Sequence, residues 1–224
     1  MWAPVVQVTS VQSSHIRANP PTVRRIQKAN DPGTKVEVTD FHLFYVHPSR
    51  SHFCKMRLEE IDMTDIFDVP PINKEKEDVN DFVVHLQNIG HAFEVDIPDE
   101  RCRSVIVTIP LRPQQADLIR NHVDTAIQDF IQQHPAISGS GTYKGVLVDD
   151  KLMATMEVTN SSGEWRTTAR SCAFYRHGHP IPLDSALGPL RGRRIQDIRL
   201  QLIEIRTWEN QIRVNSKLEA ITFS

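Results

Sequence analysis

The apolar positions of this chain change their period partway along it. Val79, Phe82, Val83, Leu86 and Ile89 fall at i, i+3, i+4, i+7 and i+10, between Asp78 as N-cap and Gly90 as stop. That stripe predicts a helix over residues 79–89. Ile119, Val123, Ala126, Ile127 and Phe130 form a second stripe after Pro113 and before Pro135, predicting a helix over residues 115–132. Residues 55–67 carry a weaker pattern of one or two helical turns. Elsewhere the period is two. Lys35–Val38, Phe41–Val46, His91–Ile97 and Cys102–Ile109 read as strands, and Val5, Val6 and Val8 allow one near the start. In Cys102–Ile109 the residues Val105, Val107 and Ile109 alternate with Ile106 and Thr108, so both faces are expected to be covered.

After Pro135 the helical signal nearly vanishes. Val146–Val148, Lys151–Val158, Glu164–Arg170 and Ser171–Arg176 read as short strands, separated by Asp149-Asp150 and by Asn160-Ser161-Ser162-Gly163. Ile198, Leu200 and Leu202 alternate with polar neighbours, as do Leu218, Ala220 and Thr222, with Trp208–Gln211 as the hairpin turn between them. The expected fold is α+β and mainly β: an antiparallel sandwich or barrel over residues 141–223, with two or three helices in the first half. Breakers at Asn19-Pro20-Pro21 and Asp31-Pro32-Gly33 set residues 1–33 apart as a flexible arm before one β-rich domain, 34–224. Pro70-Pro71 and the charged run Lys74–Asp78 read as a solvated linker.

With 224 residues, 39% of them hydrophobic and 24% charged, the chain buries a core without disulfides or metal. No apolar run reaches the ~18 residues of a membrane span, and no secretory leader is expected at the N-terminus. Cys54, Cys102 and Cys172 are scattered and odd in number, which suits a reducing compartment. The formal net charge of −2 argues against a protein that coats nucleic acid over its whole surface. The charge is uneven, however. Residues 1–30 hold four basic and no acidic side chains, residues 31–160 twelve and twenty-two, and residues 161–224 ten and six. Two basic ends around an acidic middle fit a local polyanion patch or head-to-tail self-association.

Candidate chemistry is sparse. His42, His47, His52 and Cys54 crowd one stretch, and His177-Gly178-His179 is a second pair, but neither spacing matches a zinc site. Gly139–Gly145 (GSGTYKG) lacks the Gly-Lys-Ser/Thr ending and following helix of a phosphate loop, so a turn or bulge is expected there. Asp149-Asp150 reads as a tight turn. No motif supplies a nucleophile, a base and an orienting group together, so no enzyme, metal or cofactor is expected. The arginines of the last third carry more. Arg191, Arg193 and Arg194 lie in a Gly/Pro loop, Arg199 and Arg206 on the final strands, and Arg166 beside Trp165. Guanidinium groups interleaved with aromatic rings suit single-stranded nucleic acid.

An apolar strand ending in Leu147-Val148-Asp149-Asp150-Lys151 is followed by Phe174-Tyr175-Arg176, which enters a loop reaching Asp184, and then by amphipathic strands Ile198–Arg206 and Ile212–Phe223. In this order the stretch from Gly141 onward resembles the core of the thirty-kilodalton superfamily of plant-virus movement proteins. That family often shows Leu-x-Asp-x-Arg at the strand end. Asp149 then stands as its signature aspartate, and Lys151 where an arginine is usual. The resemblance implies a non-enzymatic viral protein that self-associates, binds RNA or a viral nucleoprotein, and acts in the host cytoplasm and at plasmodesmata. A matrix protein of a negative-strand RNA virus, under the virion envelope and with peripheral membrane contact, is the competing reading. A cytosolic enzyme with a His-rich site is the third.

Overall fold

A computed structural model of the chain describes residues 5–28, 31–46, 79–96, 103–167, 172–181 and 186–224. The order is β1 (Val5–Gln7), β2 (Ile16–Ala18), β3 (Thr22–Lys28), β4 (Asp31–Val46), β5 (Val79–Leu86) and β6 (Ser104–Pro110). Then come α1 (Pro113–Leu118), a π-helical segment (Ile119–Asp124), α2 (Thr125–Gln132) and the short α3 (Pro135–Ser138). The rest is strand: β7 (Thr142–Tyr143), β8 (Leu147–Val148), β9 (Lys151–Ser161), β10 (Glu164–Thr167), β11 (Ala173–Arg176), β12 (His179–Pro180), β13 (Ile195–Trp208) and β14 (Gln211–Phe223). The fold is mainly β, as the patterns predict.

The spine is the β13–β14 pair, which turns at Glu209-Asn210. Both turn residues have positive φ, 44° and 59°, the two-residue geometry that matches strand twist. The same left-handed pair recurs at Asp149-Asp150, Ser162-Gly163 and His177-Gly178, joining β8 to β9, β9 to β10 and β11 to β12. Around the spine the sheet curls in the order β1-β5-β4-β13-β14-β11-β12. β13 is long enough to pair with β5 along Ile198–Leu202 and with β4 along Glu204–Thr207. Pairing is mostly antiparallel, but β1–β5, β11–β14, β7–β14 and β9–β14 are parallel, which the turn signals alone do not predict.

The stripe at 115–132 is a helical stretch as predicted, with Ile119, Val123, Ala126, Ile127 and Phe130 all buried against the sheet. Its π-helical middle ends at Asp124. That carboxylate accepts hydrogen bonds from the Tyr143 hydroxyl (2.7 Å) and the Val146 amide (2.8 Å), tying the helix to the glycine-rich loop. Gly141 in that loop has φ +151°, and a Cβ there would lie 2.2 Å from the Asn210 backbone, so the glycine serves close packing against the β13–β14 turn.

Several expectations are corrected. Residues 79–86 form strand β5, not a helix: Phe82, Val84 and Leu86 enter the core while Val83 is covered on the opposite face. β1 on one side and β13 on the other supply its hydrogen bonds, and this long-range pairing overrides a stripe that also fits a helix. β6 is covered on one face only, since Ile106 is 55% exposed. Of the stretch His91–Ile97, only isolated bridges at Ala92 and Val95 form. Part of the N-terminal stretch read as an arm packs inward, placing Val6, Val8, Val11 and Ile16 in the core. The helical turns expected at 55–67 lie outside the described residues.

Candidate nucleic-acid interface

The arginines singled out in the sequence divide into two groups. Arg206 donates to Asp40 Oδ1 (2.6 Å) and to Glu204 Oε1 (2.6 Å), and Asn215 also donates to Glu204 (2.8 Å). Asp40 is 5% exposed and receives Arg24 on its other oxygen, with the Arg24 Nε at 2.8 Å. Burial alone pushes this carboxyl up. Hydrogen bonds and charge from Arg206 and Arg24 outweigh it, so the carboxyl lies below its ordinary value. Arg206 therefore belongs to an internal strut joining β3, β4 and β13. Arg166 pairs with Glu164 (2.6 Å), and Trp165 is buried in the core, where its ring is closed to a stacking base.

Arg191, Arg193 and Arg194 remain at the surface together. Their loop follows a 3-10 turn, Gly188–Leu190, and is zipped to residues 89–93. The Gly192 amide donates to Phe93 O (2.9 Å), Phe93 to Arg193 O (2.7 Å), Ile195 to His91 O (2.8 Å) and Gly90 to Ile195 O (2.8 Å). Arg191 makes an exposed pair with Glu94 (3.3 Å), and Arg193 Nε donates to Pro189 O (3.1 Å). Strand register brings more cations to this end. Ile195, Phe223 and Arg176 lie in one row across β13, β14 and β11, so the exposed Arg176–His179 turn stands near Arg194. Arg112 lies against Gly90, beside the same start of β13. Sequence reasoning left Arg112 out altogether and noted Arg176 only among the arginines interleaved with aromatic residues. Arg176 had a signal, following Phe174-Tyr175; Arg112 had none, because only tertiary packing sets it here.

Beside this pole the outward sheet face holds a depression of about 210 Å³, lined by His85, Tyr175, Gly178, Asp197, Ile198, Arg199, Ala220 and Thr222. Two rows of paired residues build it: Tyr175–Thr222–Asp197, and Ala173–Ala220–Arg199–His85. Ala220 makes the hollow, a small side chain among long ones. Asp197 accepts the Asn88 amide (3.2 Å) and keeps acceptor capacity to spare. Burial lowers the His85 pKa, with Asp197 opposing and Arg199 adding to the effect. The register shift between Arg199 and Leu200 leaves Glu219 as an extra residue on β14. Burial raises its carboxyl, and its Oε2 has no hydrogen-bond partner.

The remaining candidates are dispersed. Asp149 is exposed at the first position of the β8–β9 turn, and Lys151 is exposed at the start of β9. Asp150 pairs with Arg120 of the π-helical segment. His42 lines an open cleft with Arg24, Asp40 and Glu204, while His47, His52 and Cys54 lie outside the described residues. His177 occupies a turn and His179 is exposed on β12, so the two do not share one strand face. Among the described residues no three His, Cys, Asp or Glu side chains are grouped to hold a metal ion. Cys172 is buried, and burial pushes its thiol far up, which leaves it no nucleophilic thiolate. No protein-family model matches the chain, and no curated protein is significantly similar to it.

Proposed function

We propose that this chain is a non-enzymatic RNA-binding protein whose arginine pole engages single-stranded RNA, free or within a viral nucleoprotein, in the role of a movement protein. One observation carries the reading: Arg112 and Arg176, distant in sequence, are brought to the same end of the sheet as Arg191, Arg193 and Arg194, where Glu94 pairs with Arg191. Phosphate contacts of this kind give affinity independent of sequence and falling with salt. The viral role rests on the motif around Asp149 and Lys151, and the mainly β fold agrees with it.

Self-association belongs to the same reading. Before Thr39, strand β4 pairs only with β3 among the described residues, so the two extend as a ribbon beyond the end of β13. Val23 and Ile26 on it are 56% and 48% exposed, and an isolated ribbon gains stability from a covering partner. A second copy is the partner proposed.

Titrating labelled single-stranded RNA at several salt concentrations tests the RNA reading. Each phosphate contact contributes ~0.7 to the log–log salt slope for single strands. Changing Arg191, Arg193 and Arg194 to Ala should therefore lower the slope by about 2. If wild type and this variant bind equally, the RNA reading is dropped. In infected tissue, a tagged copy at plant cell-wall junctions supports movement, whereas enrichment in enveloped particles overturns it in favour of a matrix role.

A further inference from the structure

We infer that the depression over Ala220 takes one unstacked guanine base of a bound strand. The inference rests on the RNA reading above and names what the same end of the sheet recognises. At about 210 Å³ the hollow falls below the ~300–1,000 Å³ of drug-sized pockets, so it suits a single base and not a whole nucleotide. Its lining excludes the simpler ligands. A lone phosphate meets the Asp197 carboxylate, and a lone cation meets the Arg199 guanidinium. A neutral, planar group with donors on one edge and acceptors on the other satisfies both.

Guanine fits that description best. Its N1–H and N2–H donate in parallel to one carboxylate, which adenine, cytosine and uracil cannot reproduce, and its O6 and N7 accept from a guanidinium. Asp197 and Arg199 sit two residues apart on β13 and so share one face of the sheet. Ala220 adds apolar lining, and Tyr175 adds a ring beside the hollow. Single-stranded RNA is commonly read this way, by a splayed base hydrogen-bonded on its edge beside an aromatic side chain. His85, largely neutral through burial, adds a ring without a further charge. The adjoining Arg176 and Arg194 stand where the flanking phosphates would pass.

The full chain is titrated with a labelled oligouridylate and with the same strand carrying internal guanosines, while guanosine monophosphate is followed by the NMR signal of the Ala220 methyl. The guanosine strand should bind at least about fivefold tighter, the low end for one bidentate base contact. Asp197→Asn, which retains an acceptor for the Asn88 amide, should reduce that preference to below about twofold and leave the oligouridylate salt slope unchanged. Ala220→Leu should do the same by filling the hollow, with circular dichroism confirming that each variant is folded. Equal wild-type affinity for both strands, with normal salt dependence, overturns the base pocket and leaves the arginine pole standing. If neither strand binds, the nucleotide titration decides. A saturable Ala220 shift that Asp197→Asn abolishes supports the pocket while the RNA reading falls, and no shift overturns both.

Discussion

Two arginine clusters on the same sheet stand in opposite surroundings. At the base of the ribbon, Arg24 and Arg206 close on Asp40, which is almost wholly buried, and Glu204 and Asn215 complete the network. At the far end of β13, Arg191 and Arg194 are exposed, Arg193 is half-buried, and Arg191 pairs with the exposed Glu94. In the first cluster a carboxylate out of water depends on its cations, and losing either side leaves a charge uncompensated. In the second, the pair of Arg191 with Glu94 is exposed on both sides, so it contributes little to folding and is open to exchange. An arginine count cannot separate these cases, because the deciding quantity is the burial of the carboxylate facing each one.

The contrast is broken most directly at Asp40. Asp40→Ala should destabilise the fold by about 2–3 kcal/mol in urea unfolding, below the ~3–5 kcal/mol of a fully buried pair because Arg24 is half exposed. A loss under about 0.5 kcal/mol would show that the network does not stabilise the ribbon base. Its pH dependence has a definite sign. The folded carboxyl lies below its ordinary value of 3.8, so its contribution is complete above that value and is lost as the pH falls through the folded one. Wild type should therefore shed more stability than Asp40→Ala only on the acid side of about pH 4.

At the pole the expected pattern reverses. The triple alanine variant of Arg191, Arg193 and Arg194 should lose at least about tenfold in RNA affinity, ~1.4 kcal/mol, while its unfolding midpoint stays close to wild type. A triple variant that unfolds early would place these arginines with the strut. Smaller still is the effect of Glu94→Ala, which removes the exposed partner of Arg191. It should change stability by less than about 0.5 kcal/mol and raise RNA affinity slightly. Lowered RNA affinity in that variant would mean that Glu94 orients the loop. Away from both clusters, Val23→Lys with Ile26→Lys should shift light scattering toward the monomer without altering the wild-type salt slope for RNA. An unchanged mass would remove the ribbon as the self-association contact.

Much of the fold is written locally. The stripe from Ile119 to Phe130 needs only its own period to form a helix with a buried face, and the turns at Asp149-Asp150, Ser162-Gly163 and Glu209-Asn210 join adjacent strands through backbone preferences of their own residues. These signals act within a few residues, so a single chain displays them. Tertiary structure decided the rest. Residues 79–86 satisfy a helical period and a strand equally, and became β5 because β1 and β13 offered hydrogen bonds on both sides. Trp165 reads as a stacking platform beside Arg166 until the β9–β10 hairpin turns it into the core. Arg206 and Arg194 look alike in sequence, and only the pairing of β13 with β4 puts a buried carboxylate beside one of them and solvent beside the other. The hollow over Ala220 has no sequence signature at all. It arises where the registers of β5, β13, β14 and β11 line up residues from four distant segments, and register is a long-range property that periodicity does not carry.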